Sequence, residues 1–301
     1  MDNAATLPAK TRFTTEDDIT AEVLRRFAGT GDPRLREIMM SLTRHLHAFA
    51  KEIRLTEAEW FEGIQFLTAT GQICSGKRQE FILLSDTLGL SMLVDLISNG
   101  KPPGATESTV FGPFYREGGP EMPEGGNVAE GAEGGIPTIV TGRVLDLHGN
   151  PIAGAKLDIW QADPDGLYDS QHAEIGDELR MRGIFHSAAD GTYVIRTLRP
   201  VHYQIPSDGP VGRMLKATNR HPWRPAHVHF KVTADGYQPL TTHIFDNVDE
   251  YLDTDAVFGV KDSLICEFPL HTTRDEDSVR FGIDPPFCTA RYDFVLAPVR
   301  A

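Results

Sequence analysis

Thr138-Ile139-Val140-Thr141-Gly142-Arg143-Val144-Leu145-Asp146-Leu147 is dense in β-branched and aliphatic residues, and His148-Gly149-Asn150-Pro151 interrupts it with turn formers. Ala155-Lys156-Leu157-Asp158-Ile159-Trp160-Gln161 then returns, with Leu157 and Ile159 alternating against Lys156 and Asp158. A strand sends successive side chains to opposite faces, so the two runs read as strands joined by a tight turn. Working outward, 191–196, 227–233, 241–245, 263–268 and 290–296 are further strand candidates. Short strands separated by Gly, Pro and Asp, with no helices alternating between them, predict an antiparallel β-sandwich.

The first third of the chain has a different period. Thr15-Glu16-Asp17-Asp18 sets a side-chain acceptor three residues before an acid, the pattern of a capping box. Asp32-Pro33 is a helix N-cap followed by proline, after which Leu35, Ile38, Leu42, Leu46, Phe49 and Ile53 recur along one face. Thr56-Glu57-Ala58-Glu59 opens a third helix carrying Trp60, Phe61, Ile64 and Leu67, and 80–98 holds one or two short apolar ones. These stripes read as a packed helical core, with an oligomer interface or an apolar-ligand groove as the other use. Residues 100–135, rich in glycine and acid, read as linker and loops. Within them Ser108-Thr109-Val110-Phe111-Gly112-Pro113-Phe114-Tyr115 is too apolar for a solvated linker and is expected to pack on something. The expected class is mainly β with α: a helical N-terminal domain over 1–105 and a β-sandwich domain over 106–301.

Composition narrows the function. The 301 residues are 40% hydrophobic and 24% charged, enough for a real core in one large or two modest domains. A net charge of −14 argues against nucleic acid or an anionic membrane as partner. No apolar run approaches a membrane span, and Met1-Asp2-Asn3-Ala4-Ala5 lacks a signal peptide's basic start. Cys74, Cys266 and Cys288 are odd in number and far apart, so neither a disulfide framework nor a zinc knuckle is expected. A soluble cytoplasmic protein with reduced thiols fits these features.

The chemistry centres on Arg224-Pro225-Ala226-His227-Val228-His229-Phe230. On a strand, His227 and His229 share a face and Val228 and Phe230 take the other. The pair fits two half-buried histidines as well as half of a metal site, since neutral imidazole is a common metal ligand. A 2-His-1-carboxylate site wants a nearby acid, but His229 stands where an HxD acid would. A cupin-type site wants a glutamate a few residues on, where Thr233 and Ala234 stand. His172, His186, His202, His221, His243 and His271 are scattered and share no motif with the pair. Tyr168, in a turn after a strand, and Tyr203, between Pro200 and Pro206, stand out instead. Each alone reads as a buried core tyrosine. A phenol that titrates near 10 becomes a ligand only for a strong Lewis acid such as iron(III).

Tyr168, Tyr203, His227 and His229 in these contexts resemble the ferric ligand set of the intradiol aromatic-ring dioxygenases. So do Gly142-Arg143-Val144, Ile159-Trp160-Gln161-Ala162-Asp163 and Gly191-Thr192-Tyr193, and the resemblance extends through the helical first third. It implies one Fe(III) per subunit. Tyr168 and His227 would be equatorial with a hydroxide, and Tyr203 (taken as axial) and His229 would complete the set. It implies Tyr203 as the base that leaves the metal and Arg224 as an active-site cation, although Arg224 alone fits a structural salt bridge. It further implies that O2 splits a catechol-type ring between its two hydroxylated carbons, both oxygen atoms ending in the carboxylates of a muconate.

Within that family the helical segment marks the catechol-type branch, which implies a homodimer through these helices and a phospholipid in an apolar tunnel there. Leu83-Leu84-Ser85-Asp86-Thr87-Leu88-Gly89, Val110-Phe111-Gly112-Pro113-Phe114 and Thr241-Thr242-His243-Ile244-Phe245-Asp246 look like the members that cleave hydroxyquinol, 1,2,4-trihydroxybenzene. Ordinary catechol enzymes tend to have glutamine in place of His243. Asp86 would accept a hydrogen bond from the third hydroxyl, unless it is only a helix cap. Leu83, Val110, Phe111, Gly112, Ile205 and Pro206 would form the slot for the ring. Catechol or chlorocatechol cleavage is the alternative. A non-enzymatic binding module is a second one, because 141–155 also resembles carboxypeptidase-regulatory and transthyretin-like repeats, which lack the four ligands.

Overall fold

The computed structural model describes residues 15–172 and 175–299, so the stretch Met1 to Ala5 read for a leader lies outside it. The chain divides into two compact units, Met1–Thr68 and Ala69–Ala301.

In the first unit, α1 (Glu16–Phe27) packs on α2 (Pro33–Glu52), and α3 (Glu57–Gln72) begins. The expected caps form: Thr15 and Asp18 bond reciprocally, Asp32 accepts from Arg34 N and Leu35 N, and Thr56 pairs with Glu59. Lys51–Asp17 and Arg54–Glu16 ion pairs, both 2.6 Å, tie the two helices together. The expectation of a packed helical core fails along α2. Leu42, Leu46 and Phe49 are 48%, 56% and 53% exposed, because α1 covers only one side of this helix and leaves its apolar stripe open.

The second unit starts with α4 (Glu80–Thr87) and α5 (Leu90–Ser98), separated by Gly89 at φ +72°. Then come β1 (Pro137–Asp146), β2 (Lys156–Trp160), β3 (Arg182–His186), β4 (Thr192–Leu198) and β5 (Tyr203–Gln204). After α6 (Pro210–Ala217) follow β6 (Trp223–Arg224), β7 (His227–Thr233), β8 (Leu240–Asp246), β9 (Ile265–Cys266) and β10 (Leu270–His271). Finally α7 (Glu276–Phe281) precedes β11 (Phe287–Arg291) and β12 (Phe294–Leu296). One sheet has the order β10-β11-β1-β12 with β4 also on β1, and the other β3-β2-β7-β8-β9. Val140, Val144, Leu157, Ile159, Ile195, Val228 and Phe230 from both sheets form one buried cluster, which makes the pair a sandwich.

The sandwich is mixed rather than wholly antiparallel: β11 and β12 run parallel to β1, and β9 runs parallel to β8. The strand expected over 290–296 is split where Tyr292 N–H reaches back to the Thr141 carbonyl. There the Tyr292 carbonyl lies 1.7 Å from where a Cβ on residue 142 would stand, so only glycine fits at Gly142. The apolar 108–115 segment packs as expected, with Thr109 N donating to Thr241 O of β8 at 3.0 Å.

Candidate metal centre

β7 places His227 and His229 on the face away from the core, with Val228 and Phe230 fully buried on the other side. In register, His229 lies between Trp160 of β2 and His243 of β8, and His227 is opposite Phe245. His227 Nδ1 stands 2.7 Å from the Pro225 carbonyl, which can only accept, so the proton sits on Nδ1 and Nε2 presents its lone pair. That lone pair faces His229 Nε2 at 3.1 Å.

The two tyrosines arrive from separate loops. Asp163 accepts from Asp165 N and Leu167 N, closing the turn that delivers Tyr168. Behind it, Asp169 forms a buried bidentate pair with Arg182 of β3 at 2.5 and 2.6 Å, and Phe114 stacks on the Tyr168 ring at 4.5 Å and 16°. Tyr203 is the cross-strand partner of Arg224 in the short β5–β6 ladder. Tyr168 OH is 2.9 Å from His229 Nε2 and 3.4 Å from Tyr203 OH. Four donor atoms from four sequence positions thus converge in a pocket where each residue is at most 3% exposed.

Burial governs the protonation of this cluster. It holds His227 and His229 well below the usual imidazole range, with Arg224 adding to the effect at His227 and His243 at His229. It pushes the Tyr168 phenol well above its usual range, with Tyr203 next in effect. Neutral imidazoles are ready ligands, whereas a buried phenol gives up its proton only to a strongly polarising cation. Two phenol oxygens with two imidazoles fit a hard trivalent ion better than zinc or a copper site, and ferric iron meets that chemistry.

Arg224, 2% exposed, donates from Nη1 toward Tyr203 OH (3.3 Å) and His227 Nε2 (3.2 Å). The sequence does not reveal what holds it there. Asp255 takes Arg224 Nε at 3.1 Å and Nη2 at 3.3 Å, and also accepts from Val257 N and Gly259 N. Burial works most strongly against the Arg224 charge, but Asp255 together with Tyr203 and Tyr168 more than offsets it, so the guanidinium pKa is raised.

The remaining expected residues spread around this centre. His243, fully buried, brings a third imidazole: ligand atoms of His227, His229 and His243 lie within 4.8 Å of one another. Neither His243 ring nitrogen makes a geometrically sound hydrogen bond, although the Val110 backbone is close enough to bias its charge. Gly112 lies against the His229 ring at φ +77°, where a Cβ would come 3.5 Å from its Cε1. Leu83 and Pro206 line a cavity of about 360 Å³ with Phe114. Asp86 is buried in α4, and its carboxyl, raised by burial, is lowered in part by Ser91 and Arg224. Ile205 and Val110 are buried, whereas Phe111 is 41% exposed and packs on Trp160 and Tyr115.

The chain belongs to the intradiol ring-cleavage dioxygenase family, whose members depend on non-haem iron. The family model described as dioxygenase matches 110–298, and that described as catechol dioxygenase N terminus matches 32–106. The 6-chlorohydroxyquinol 1,2-dioxygenase of Cupriavidus pinatubonensis is 51% identical over 94% of this chain and 98% of its own length. The hydroxyquinol 1,2-dioxygenase of a Rhizobium species is 49% identical over 94% of this chain and 95% of its own. Among solved structures, hydroxyquinol 1,2-dioxygenase of Pseudomonas putida DLL-E4 is 51% identical with a TM-score of 0.86, covering 94% of this chain and 98% of that one. Catechol 1,2-dioxygenase of Acinetobacter radioresistens reaches a TM-score of 0.85 at 29% identity, over 95% and 94%.

Proposed function

We propose that this enzyme cleaves hydroxyquinol with O2 between its adjacent hydroxylated carbons, giving 3-hydroxy-cis,cis-muconate and its tautomer maleylacetate in aromatic catabolism. The observation that carries the reading is the buried convergence of Tyr168, Tyr203, His227 and His229 with Arg224 at its edge. Those four residues would hold one Fe(III) per subunit, which when bound supplies the Lewis acidity that ionises the ring hydroxyls and the route for O2. Tyr203 would take a substrate proton from its tyrosinate state, the form in which it would serve as an Fe(III) ligand, and Arg224 Nη1 at 3.3 Å keeps its oxygen in place. Arg224 then steadies negative charge that develops on the opened ring or its oxygens. Leu83, Val110, Phe111, Gly112, Ile205 and Pro206 would take the ring's apolar face, and buried Asp86 would accept from the third hydroxyl.

Relatives at 49–51% identity that bear hydroxyquinol names support this substrate over catechol. We further propose a domain boundary near 105/106, between the two family-model matches, action in the cytoplasm, and a homodimer through the exposed apolar helices with a phospholipid-like chain held between them. The test is substrate profiling of the iron-loaded protein by oxygen uptake. Hydroxyquinol should be turned over faster than catechol or 4-chlorocatechol, and catechol turned over fastest would sink the reading. The same protein should be wine-red from tyrosinate-to-iron charge transfer, a colour that Tyr168→Phe abolishes.

A further inference from the structure

Trp160 has no part in the chemistry above, yet it lies directly against the centre. Its indole stacks on the His229 ring, with centroids 4.6 Å apart and planes 13° from parallel. It is 1% exposed, and its Nε1–H has no hydrogen-bond partner among the described residues. Tyr115 follows at 4.8 Å from Trp160. The Tyr115 hydroxyl donates to Asp158 Oδ2 at 2.9 Å, and Lys231 Nζ stands 3.4 Å from the same hydroxyl. Tyr115, Asp158, Lys231 and Lys156 line a surface cavity of about 290 Å³. A continuous line of π contact therefore runs from a proposed metal ligand to a half-buried phenol beside solvent.

We propose that His229, Trp160 and Tyr115 form a relay that carries oxidising equivalents out of the metal pocket, so that a peroxide reduced there oxidises Tyr115 rather than the ligands. The relay rests on the metal reading above. Its direction comes from the proton outlets. Trp160 can release an electron, but its N–H has no acceptor, so the resulting radical cation is not trapped there. Tyr115 loses its electron together with the phenol proton, which passes to Asp158 along an existing hydrogen bond and leaves a neutral phenoxyl. The cavity, where Lys156 and Lys231 are matched by Glu117 and Asp158, opens Tyr115 to a small hydrogen-atom donor such as ascorbate. The balance closes: hydrogen peroxide takes up two electrons and two protons and leaves as two waters. Both electrons come in turn from Tyr115, each phenol proton leaves through Asp158 to solvent, and solvent supplies the protons that the peroxide consumes. Ascorbate returns one hydrogen atom to each phenoxyl, for a net conversion of one peroxide and one ascorbate into two waters and dehydroascorbate.

The test mixes iron-loaded protein with hydrogen peroxide in the absence of aromatic substrate, followed by freeze-quench electron paramagnetic resonance and peptide mass spectrometry. Wild type should give a tyrosyl signal that Tyr115→Phe removes, while oxidation of Trp160 and of the peptide holding His227 and His229 rises severalfold. The tyrosinate charge-transfer band before peroxide should be the same in both proteins. Asp158→Asn, which keeps the ring and removes the proton acceptor, should lower the tyrosyl yield. An unchanged yield in either variant, with the band intact, overturns the relay alone. Absence of the band from iron-loaded wild type overturns the metal reading and the relay with it.

Discussion

The guanidinium of Arg224 is useful only if Nη1 stays aimed at Tyr203 and His227, and a long side chain does not hold such an aim unaided. Asp255 fixes it by taking Nε and Nη2 while two backbone N–H groups fix Asp255 in turn. Asp255→Asn keeps the shape and removes the charge, so Arg224 is left buried beside a neutral amide. We expect kcat to fall by on the order of a hundredfold, with KM changed much less and iron content retained. A lowered melting temperature with unchanged kcat would reduce Asp255 to a structural role. The spacing of His227 and His229 makes them legible as a pair, whereas Tyr168 and Tyr203 stand out as ligand candidates only through the resemblance to the intradiol family. Asp255 was not legible, because it meets Arg224 from 31 residues away through a loop that carries no motif.

At the scale of elements, periodicity shows which face a side chain takes, but not which strand will lie beside it. That is why His227 and His229 were legible as a pair while His243 stayed among scattered histidines until the β7–β8 register set it opposite His229. The same limit applied to topology: alternation marked the strands, whereas the parallel return of β11 and β12 along β1, on either side of the close approach at Gly142, leaves no periodic signal. Helix α4 was legible, and it puts Leu83 and Asp86, three residues apart, on one side where both are buried. A carboxylate placed there by a helix has little freedom to move, so it can select a ring bearing a third hydroxyl. Asp86→Asn should cut kcat/KM for hydroxyquinol by roughly tenfold or more, the worth of a hydrogen bond to a charged group, and affect catechol far less. Equal losses on both substrates would leave Asp86 a structural residue only.

For the whole molecule, the open question is what covers the N-terminal helices. Their caps and salt bridges account for why α1 and α2 form and pair, but Leu35, Leu42, Leu46, Phe49 and Ile53 remain 48–56% exposed along one stripe. Contiguous apolar surface of this kind on a folded chain marks an interaction site, and the helical period that revealed the stripe does not name its occupant. A second copy is the occupant we propose, because the same stripe on two subunits is self-complementary about a two-fold axis. Replacing Leu42 and Leu46 together by glutamate puts carboxylates into that interface, where leaving them unpaired costs several kcal/mol. Exposed helix positions tolerate glutamate, so helicity should hold. Sedimentation should therefore change from dimer to monomer while the far-ultraviolet circular dichroism stays the same. Each monomer should keep its full iron content, since the proposed ligands all come from one chain between Tyr168 and His229. A double variant that still sediments as a dimer would move the interface away from α2.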